Sequence, residues 1–395
     1  MLHAIHRPLI VAATIAMVAP AGAQAPVAGS HAPARHRLND TGITLCIDGD
    51  SQFIDCRGTG QDAALGRDVT NKRDADGRLG FHFTRLCNSG QRAGAGSCPA
   101  MPTPGDDPDQ WGCTRDEVTG LLWETKTNAG PRGGANIYTF YTKKYDPVGE
   151  LGGPKDATGY VHRVNEAGLC GLHDWRLPTP FELMGIADMG VIGGAAIDLR
   201  FMPNTAANTY WAAGAVRHEF FAKELGWEVD FSFELGDMGS QFRETPRPLR
   251  LVHGHEARGR RFVVSDDRQE VADPLTGLTW RRCVEGTAIV DDDCSGTALE
   301  LAWIDALEHA RRQAHRTGVA WRLPNVKELT SLLQHDQYPY IDVHAFPPPA
   351  FGVLWSSSSF PTDPTPRCVS FNDGISGSCS QGSGGQGLRL VRDSD

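Results

Sequence analysis

Few residues in this chain are spaced for chemistry, and the best spaced are an arginine and a glutamate that occur twice. Arg176 and Glu182 lie in Asp174-Trp175-Arg176-Leu177-Pro178-Thr179-Pro180-Phe181-Glu182-Leu183. Arg322 and Glu328 lie in Ala320-Trp321-Arg322-Leu323-Pro324-Asn325-Val326-Lys327-Glu328-Leu329. In each, Trp-Arg-Leu alternates as a half-buried strand does, and Pro178 or Pro324 keeps the preceding leucine out of the helical region. Thr179 and Asn325 are good N-caps with a glutamate three positions on, which is a capping box, and Pro180 suits a first helical turn. A guanidinium between apolar neighbours needs a carboxylate, and Glu182 and Glu328 are the nearest. Such a pair is structural glue, because a buried arginine left free for a ligand is too costly.

The other candidates are weaker. Arg311, Arg312, His315 and Arg316 put positive charge on one helix, where an anionic glycan could rest or where water simply solvates the face. Asp291-Asp292-Asp293 could hold an ion but reads as an acidic tip in the Cys283/Cys294 loop. Asp74 to Gly80 also invites a calcium reading. Aligned on Gly77, however, the ligand positions would fall on Lys72 and Phe83, so an ordinary turn is expected. Gly382-Ser383-Gly384-Gly385-Gln386-Gly387 has dinucleotide-loop spacing but precedes a strand, not a helix. No Gly-x-Ser-x-Gly, His-Glu-x-x-His or phosphate-loop motif occurs. The expectation is that the chain carries no catalytic, cofactor-binding or metal-ligating set.

Export comes next. His3, His6 and Arg7 precede an apolar run from Leu9 to Val18 and Ala-x-Ala sites ending at Ala23 or Ala25, so residues 1–25 read as a signal peptide and 26–37 as a linker. No later stretch is apolar enough to span a bilayer. The ten cysteines fall mostly in close pairs: Cys46/Cys56, Cys87/Cys98, Cys283/Cys294 and Cys368/Cys379, leaving Cys113 and Cys170 to each other. No pair has zinc-site spacing, so five disulfides are expected in a periplasmic or secreted protein, although spacing alone leaves the connectivity open. A net charge of −10 disfavours nucleic acid as a partner.

The chain then repeats itself. Asp116-Glu117-Val118-Thr119-Gly120-Leu121-Leu122-Trp123 answers Asp273-Pro274-Leu275-Thr276-Gly277-Leu278-Thr279-Trp280. A helix follows, clearest where Ala302, Leu307, Ala310 and Ala314 recur. After the Trp-Arg-Leu-Pro unit, Tyr210-Trp211 answers Leu354-Trp355, and Val229-Asp230-Phe231 answers Val369-Ser370-Phe371. Each copy closes on Leu-Arg-Leu-Val, at Leu249–Val252 and Leu388–Val391. Trp123, Trp175 and Trp211, with Trp280, Trp321 and Trp355, take matching places and read as core. The copies span 111–255 and 256–395, after a disulfide-containing leader over 38–110.

These motifs in this order resemble the domain of unknown function 1566, also named for the C-terminal domain of a Legionella collagen-like adhesin. The Arg-Leu-Pro-Thr-x-x-Glu pattern is also similar to one in formylglycine-generating enzymes, whose core is C-type-lectin-like. The resemblance implies an α+β fold. Two tandem C-type-lectin-like domains, each a twisted antiparallel sheet with flanking helices and long loops, would follow a β- and loop-rich N-terminal region. The adhesin binds sulfated glycans and surfaces, so the resemblance implies a non-catalytic binding or adhesion protein with a glycan or an envelope or host-surface protein as partner. An envelope enzyme, possibly glycan-directed, is the alternative. The Glu-Pro-Asn and Trp-Asn-Asp motifs of calcium-dependent lectins are missing, so no sugar site carries across.

Overall fold

The Asp-x-x-Thr-Gly segments form the same turn in both copies, for the same reason. In the first, Asp116 Oδ1 accepts from the Val118 N–H at 2.9 Å, and the Gly120 N–H donates to the Asp116 carbonyl at 2.8 Å. In the second, Asp273 Oδ1 accepts from Leu275 at 3.1 Å and the Gly277 N–H donates to the Asp273 carbonyl at 2.8 Å. Gly120 and Gly277 close the turns at φ 78° and 74°, a conformation that disfavours side chains. In this computed structural model the described residues are 38–70, 73–140, 153–216, 225–232, 235–254, 261–348, 352–379 and 385–394. Residues 1–37, which the sequence pattern reads as a signal peptide and linker, lie outside them.

Each turn joins two strands of a four-stranded antiparallel sheet. The first sheet runs Phe83–Cys87, Trp111–Asp116, Leu122–Glu124, Val252–His253; the second runs Val263–Val264, Glu270–Asp273, Leu278–Arg281, Val391–Asp393. The register matches: Trp123 faces Val252 and Trp280 faces Val391. The outer strand Phe83–Cys87 comes from the leader. A second, three-stranded sheet follows in each copy, Thr209–Ala215, Leu225–Asp230, Asp237–Phe242 and Val353–Ser359, Pro366–Ser370, Ile375–Ser378. Tyr210 faces Val229 and Leu354 faces Val369, and each copy slips register just after Trp211 or Trp355.

The helices of the described residues are α1 (Arg67–Thr70), α2 (Ala157–Ala167), α3 (Pro180–Gly185), α4 (Trp303–Thr317) and α5 (Val326–Thr330). Both capping boxes form. Thr179 accepts from the Glu182 N–H at 3.1 Å while Glu182 accepts from the Thr179 N–H at 2.8 Å. Asn325 and Glu328 do the same at 2.9 and 2.8 Å. Helix α4 buries Trp303, Ala306, Leu307 and Ala310, one helical stripe, and Ala302 serves as its N-cap rather than as part of that face. Disulfides join Cys46–Cys56, Cys87–Cys98, Cys113–Cys170, Cys283–Cys294 and Cys368–Cys379. No helix among the described residues is long and apolar enough to cross a membrane.

One core runs through both copies and the leader, joining Ile43, Phe81 and Phe83 to Trp123, Trp227, Trp280, Leu329 and Val369. Trp175 and Trp211 centre a smaller cluster in the first copy, and Trp321 and Trp355 another in the second. The six repeated tryptophans are all buried. Polar contacts tie the seam. Arg367, fully buried, donates to Asp237 at 2.7 Å, and the Met238 N–H donates to Ser376 Oγ at 3.0 Å. Lys327 Nζ donates to the carbonyls of Asp40, Gly185 and Ala187 at 2.6, 3.0 and 2.7 Å, so one ammonium touches the leader and the first copy from the second. Asp62 of the leader accepts from Thr41 and from Ser358 of the second copy, both at 2.7 Å.

The buried acids of this seam make stability depend on pH. Burial pushes Asp62 up to about 7, helped by the charge of Asp40. Burial likewise pushes Asp68 and Asp188 up to about 6, against the pull of Arg78 on Asp188. Between these values and the ordinary 3.8, the folded chain binds protons that the unfolded chain does not, so stability rises as pH falls from about 7. His335, which burial pulls from 6.5 down to about 4, works the other way over that range and offsets one of the three protons. The midpoint of melting is therefore expected to be higher near about pH 5.5 than near about pH 7.5, and Asp62→Asn should shrink the difference. Equal midpoints at the two pH values would contradict raised carboxyls.

Candidate functional site

A large groove among the described residues lies beside the second Trp-Arg-Leu-Pro unit. Helix α4 ends at Gly318, whose left-handed φ of 71° lets its N–H donate back to the Ala314 carbonyl at 2.9 Å. The chain then turns into Trp321-Arg322-Leu323, which docks on the sheet through Arg322: its N–H and C=O pair with Val391 at 2.9 and 3.0 Å. Between this strand, α4 and the leader's Gly58, Gly60 and Leu65 runs a groove of ≈ 1460 Å³. Its floor is apolar, with Leu307, Ala310, Ala314, Val319 and Leu323. The leader wall presses on α4: a Cβ on Gly60 would lie 3.7 Å from the Arg311 Cδ.

The rim is charged, and most of its charges are spoken for. Arg312 pairs with Glu308 at 3.2 Å, Arg392 with Glu270 at 2.9 Å, and Arg322 with Asp393 at 3.1 Å. Arg322 is also held by both oxygens of Glu328, at 2.6 and 2.8 Å. Arg176 makes the same fork with Glu182, at 2.7 and 2.6 Å. The side chains of Arg311 and His315 make no hydrogen bond or ion pair within the described residues. They are exposed, one turn apart on α4, and both line the groove. Arg316, the fourth basic residue of that helix, donates to Gln313 at 2.6 Å.

Two stretches, residues 112–253 and 269–392, match the Lcl C-terminal domain, together about two thirds of the 395 residues. The chain belongs to the Lcl C-terminal domain family. No curated protein matches it. The groove belongs to the second Lcl C-terminal domain, yet part of its wall comes from leader residues outside either domain. Arg322 of the Arg–Glu fork lines the groove, and the same fork recurs in the first domain at Arg176 and Glu182. Arg322→Ala is expected to destabilise by about 3 kcal/mol, leaving Glu328 unpaired. Arg322→Lys should recover little, because an ammonium cannot make the fork, whereas Glu328→Gln keeps an acceptor and should cost less. Denaturant melts decide this; an unchanged midpoint for Arg322→Ala would make the arginine a ligand residue instead.

The remaining candidates fall elsewhere. Asp292 is paired with Arg268 at 2.7 Å and Arg282 at 3.1 Å, which accounts for its charge without an ion. Residues 382–384 lie outside the described residues, while Gln386 and Gly387 run as extended bridges to Leu301 and Leu354. A hollow of ≈ 610 Å³ beside residues 190–199 has Arg78 in its wall, but that arginine is bound to Asp188 at 2.7 Å and to the Gly190 carbonyl at 3.2 Å.

Sequence reasoning missed one polar cluster in the first Lcl C-terminal domain. Lys126 donates to Glu124 at 2.9 Å and to Tyr160 Oη at 3.2 Å, the Tyr160 hydroxyl donates to Glu124, and the Leu251 N–H donates to Glu124 at 3.0 Å. Burial pulls Lys126 down to about 8. A lowered lysine beside a carboxylate is how many bases are made, but Glu124, Lys126 and Tyr160 are at most 2 % exposed. The cluster therefore fastens the strand to α2 and the closing segment. No spacing signal could have found it, because Glu124 and Lys126 look like an ordinary strand end.

Proposed function

We propose that this is an exported, disulfide-stabilised binding or adhesion protein of the cell envelope or its surroundings, and that the groove of the second domain is where its ligand sits. The observation that carries this reading is the pairing pattern of the rim. Every acid lining the groove is engaged by an arginine, while Arg311 and His315 stand unpaired over an apolar floor. Such a surface attracts an anionic ligand and leaves no free carboxylate for acid–base chemistry. The ligand is a glycan or protein segment carrying negative charge. A C-type-lectin-like arrangement of each domain, taken from the resemblance of the Arg-Leu-Pro motif, belongs to the same proposal, since such folds commonly present loop-lined binding surfaces. Five disulfides support an oxidising compartment, periplasmic or extracellular.

The test uses the oxidised mature protein on arrays of glycans and of envelope and host-surface proteins. Exchanging Arg311 and His315 together for glutamate leaves the melt unchanged, since both are exposed, and is expected to weaken binding by about tenfold or more at low salt. Binding that survives the double exchange would place the ligand elsewhere.

A further inference from the structure

The two domains treat the outer edge of their Trp-Arg-Leu strand differently. In the first, the Trp175 N–H donates to Asn165 Oδ1 at 2.7 Å, and the Trp175 carbonyl accepts from Asn165 Nδ2 at 2.8 Å. One amide thus does what a neighbouring strand would do, and that edge is closed. Asn165 stands three residues before Gly168, the left-handed cap of α2. In the second domain the place three residues before the cap Gly318 is taken by His315, which makes no such bridge. The Trp321 N–H turns back on the Val319 carbonyl at 2.7 Å, and the Trp321 carbonyl accepts no hydrogen bond within the described residues. Arg322 spends its own N–H and C=O on Val391, so by the alternation of a strand its neighbours point theirs the other way.

We propose that this open edge takes an extended, carboxylate-bearing peptide segment of a partner protein as an added strand, with Arg311 and His315 engaging its acidic side chains. The inference rests on the reading of the groove as the binding surface and adds the class of its occupant. An exposed strand edge is a template for another chain, and main-chain pairing is how many domains hold extended peptides. The groove leaves room alongside: its far wall at Gly58 and Gly60 presents backbone without side chains. Side chains of an added strand alternate between two faces. One row would meet the apolar floor and the other the unpaired Arg311 and His315, so a segment alternating acidic and apolar residues fits best.

The full-length oxidised protein is titrated with a fluorescent peptide of about eight residues alternating glutamate and valine. Two further peptides have the same side chains but carry N-methyl groups on one or the other set of alternate backbone nitrogens, and a polygalacturonate oligosaccharide serves as an anion without amides. The peptide is expected to bind, Arg311→Glu to weaken it by about tenfold, and one N-methylated set, but not the other, to weaken it by a similar factor. That asymmetry marks a strand paired along one side, because only alternate N–H groups face the protein. Equal binding of all three peptides would overturn strand addition. An oligosaccharide that binds in an Arg311-dependent way while the peptide does not would overturn the peptide occupant and leave the groove as the binding surface. If no probe binds, both readings fall.

Discussion

Lys327→Ala is expected to lower stability by roughly 4 kcal/mol, a very large effect for one residue. Its ammonium donates to three carbonyls, those of Asp40, Gly185 and Ala187, to which no other donor is found among the described residues, and it sits 4.7 Å from the centroid of Phe81. Removing it orphans buried acceptors on the leader and on the first domain at once, besides emptying the space of its stem. Burial pulls Lys327 down to about 8, so the charged form is itself held at a cost, and Lys327→Met separates the two effects. If the hydrogen bonds outweigh the burial cost, the methionine variant also melts early, by somewhat less than alanine because it keeps the volume. A methionine variant as stable as the wild type would mean that desolvation cancels all three bonds and that the seam does not depend on this lysine. Urea unfolding of the oxidised protein reads the difference.

Breaking Cys113–Cys170 should come close to that figure. This bridge closes a span of 57 residues, whereas the other four close 10 or 11. On the chain-entropy account the long loop is worth about 4 kcal/mol and each short one about 3 kcal/mol. The long bridge also ties the central strand of the first domain to the segment after α2, so its loss loosens the seat of Trp175. Paired serine substitutions at Cys113 and Cys170 should therefore lower the urea midpoint more than the same substitutions at Cys368 and Cys379. Equal losses would show that native packing around each bridge, rather than loop length, sets its worth.

The features legible in the sequence were those settled within a few residues of themselves. The Asp-x-x-Thr-Gly turn closes on its own Asp side chain, the capping box joins positions three apart, and the Arg176–Glu182 and Arg322–Glu328 forks span six. A repeated order of such local units also implied a repeated register, which Trp123 opposite Val252 and Trp280 opposite Val391 display. The tertiary structure alone decided what lies between those units. Lys327 sits where the first copy has Phe181, and nothing in its neighbourhood indicates that its partners are 142 and 287 residues away. The groove is assembled from residues near 60, 311, 321 and 392. Short-range hydrogen bonds leave periodic traces because the chain's own geometry brings the partners together. A seam or a groove leaves none, since its partners meet only after both copies and the leader have buried their apolar faces against one another.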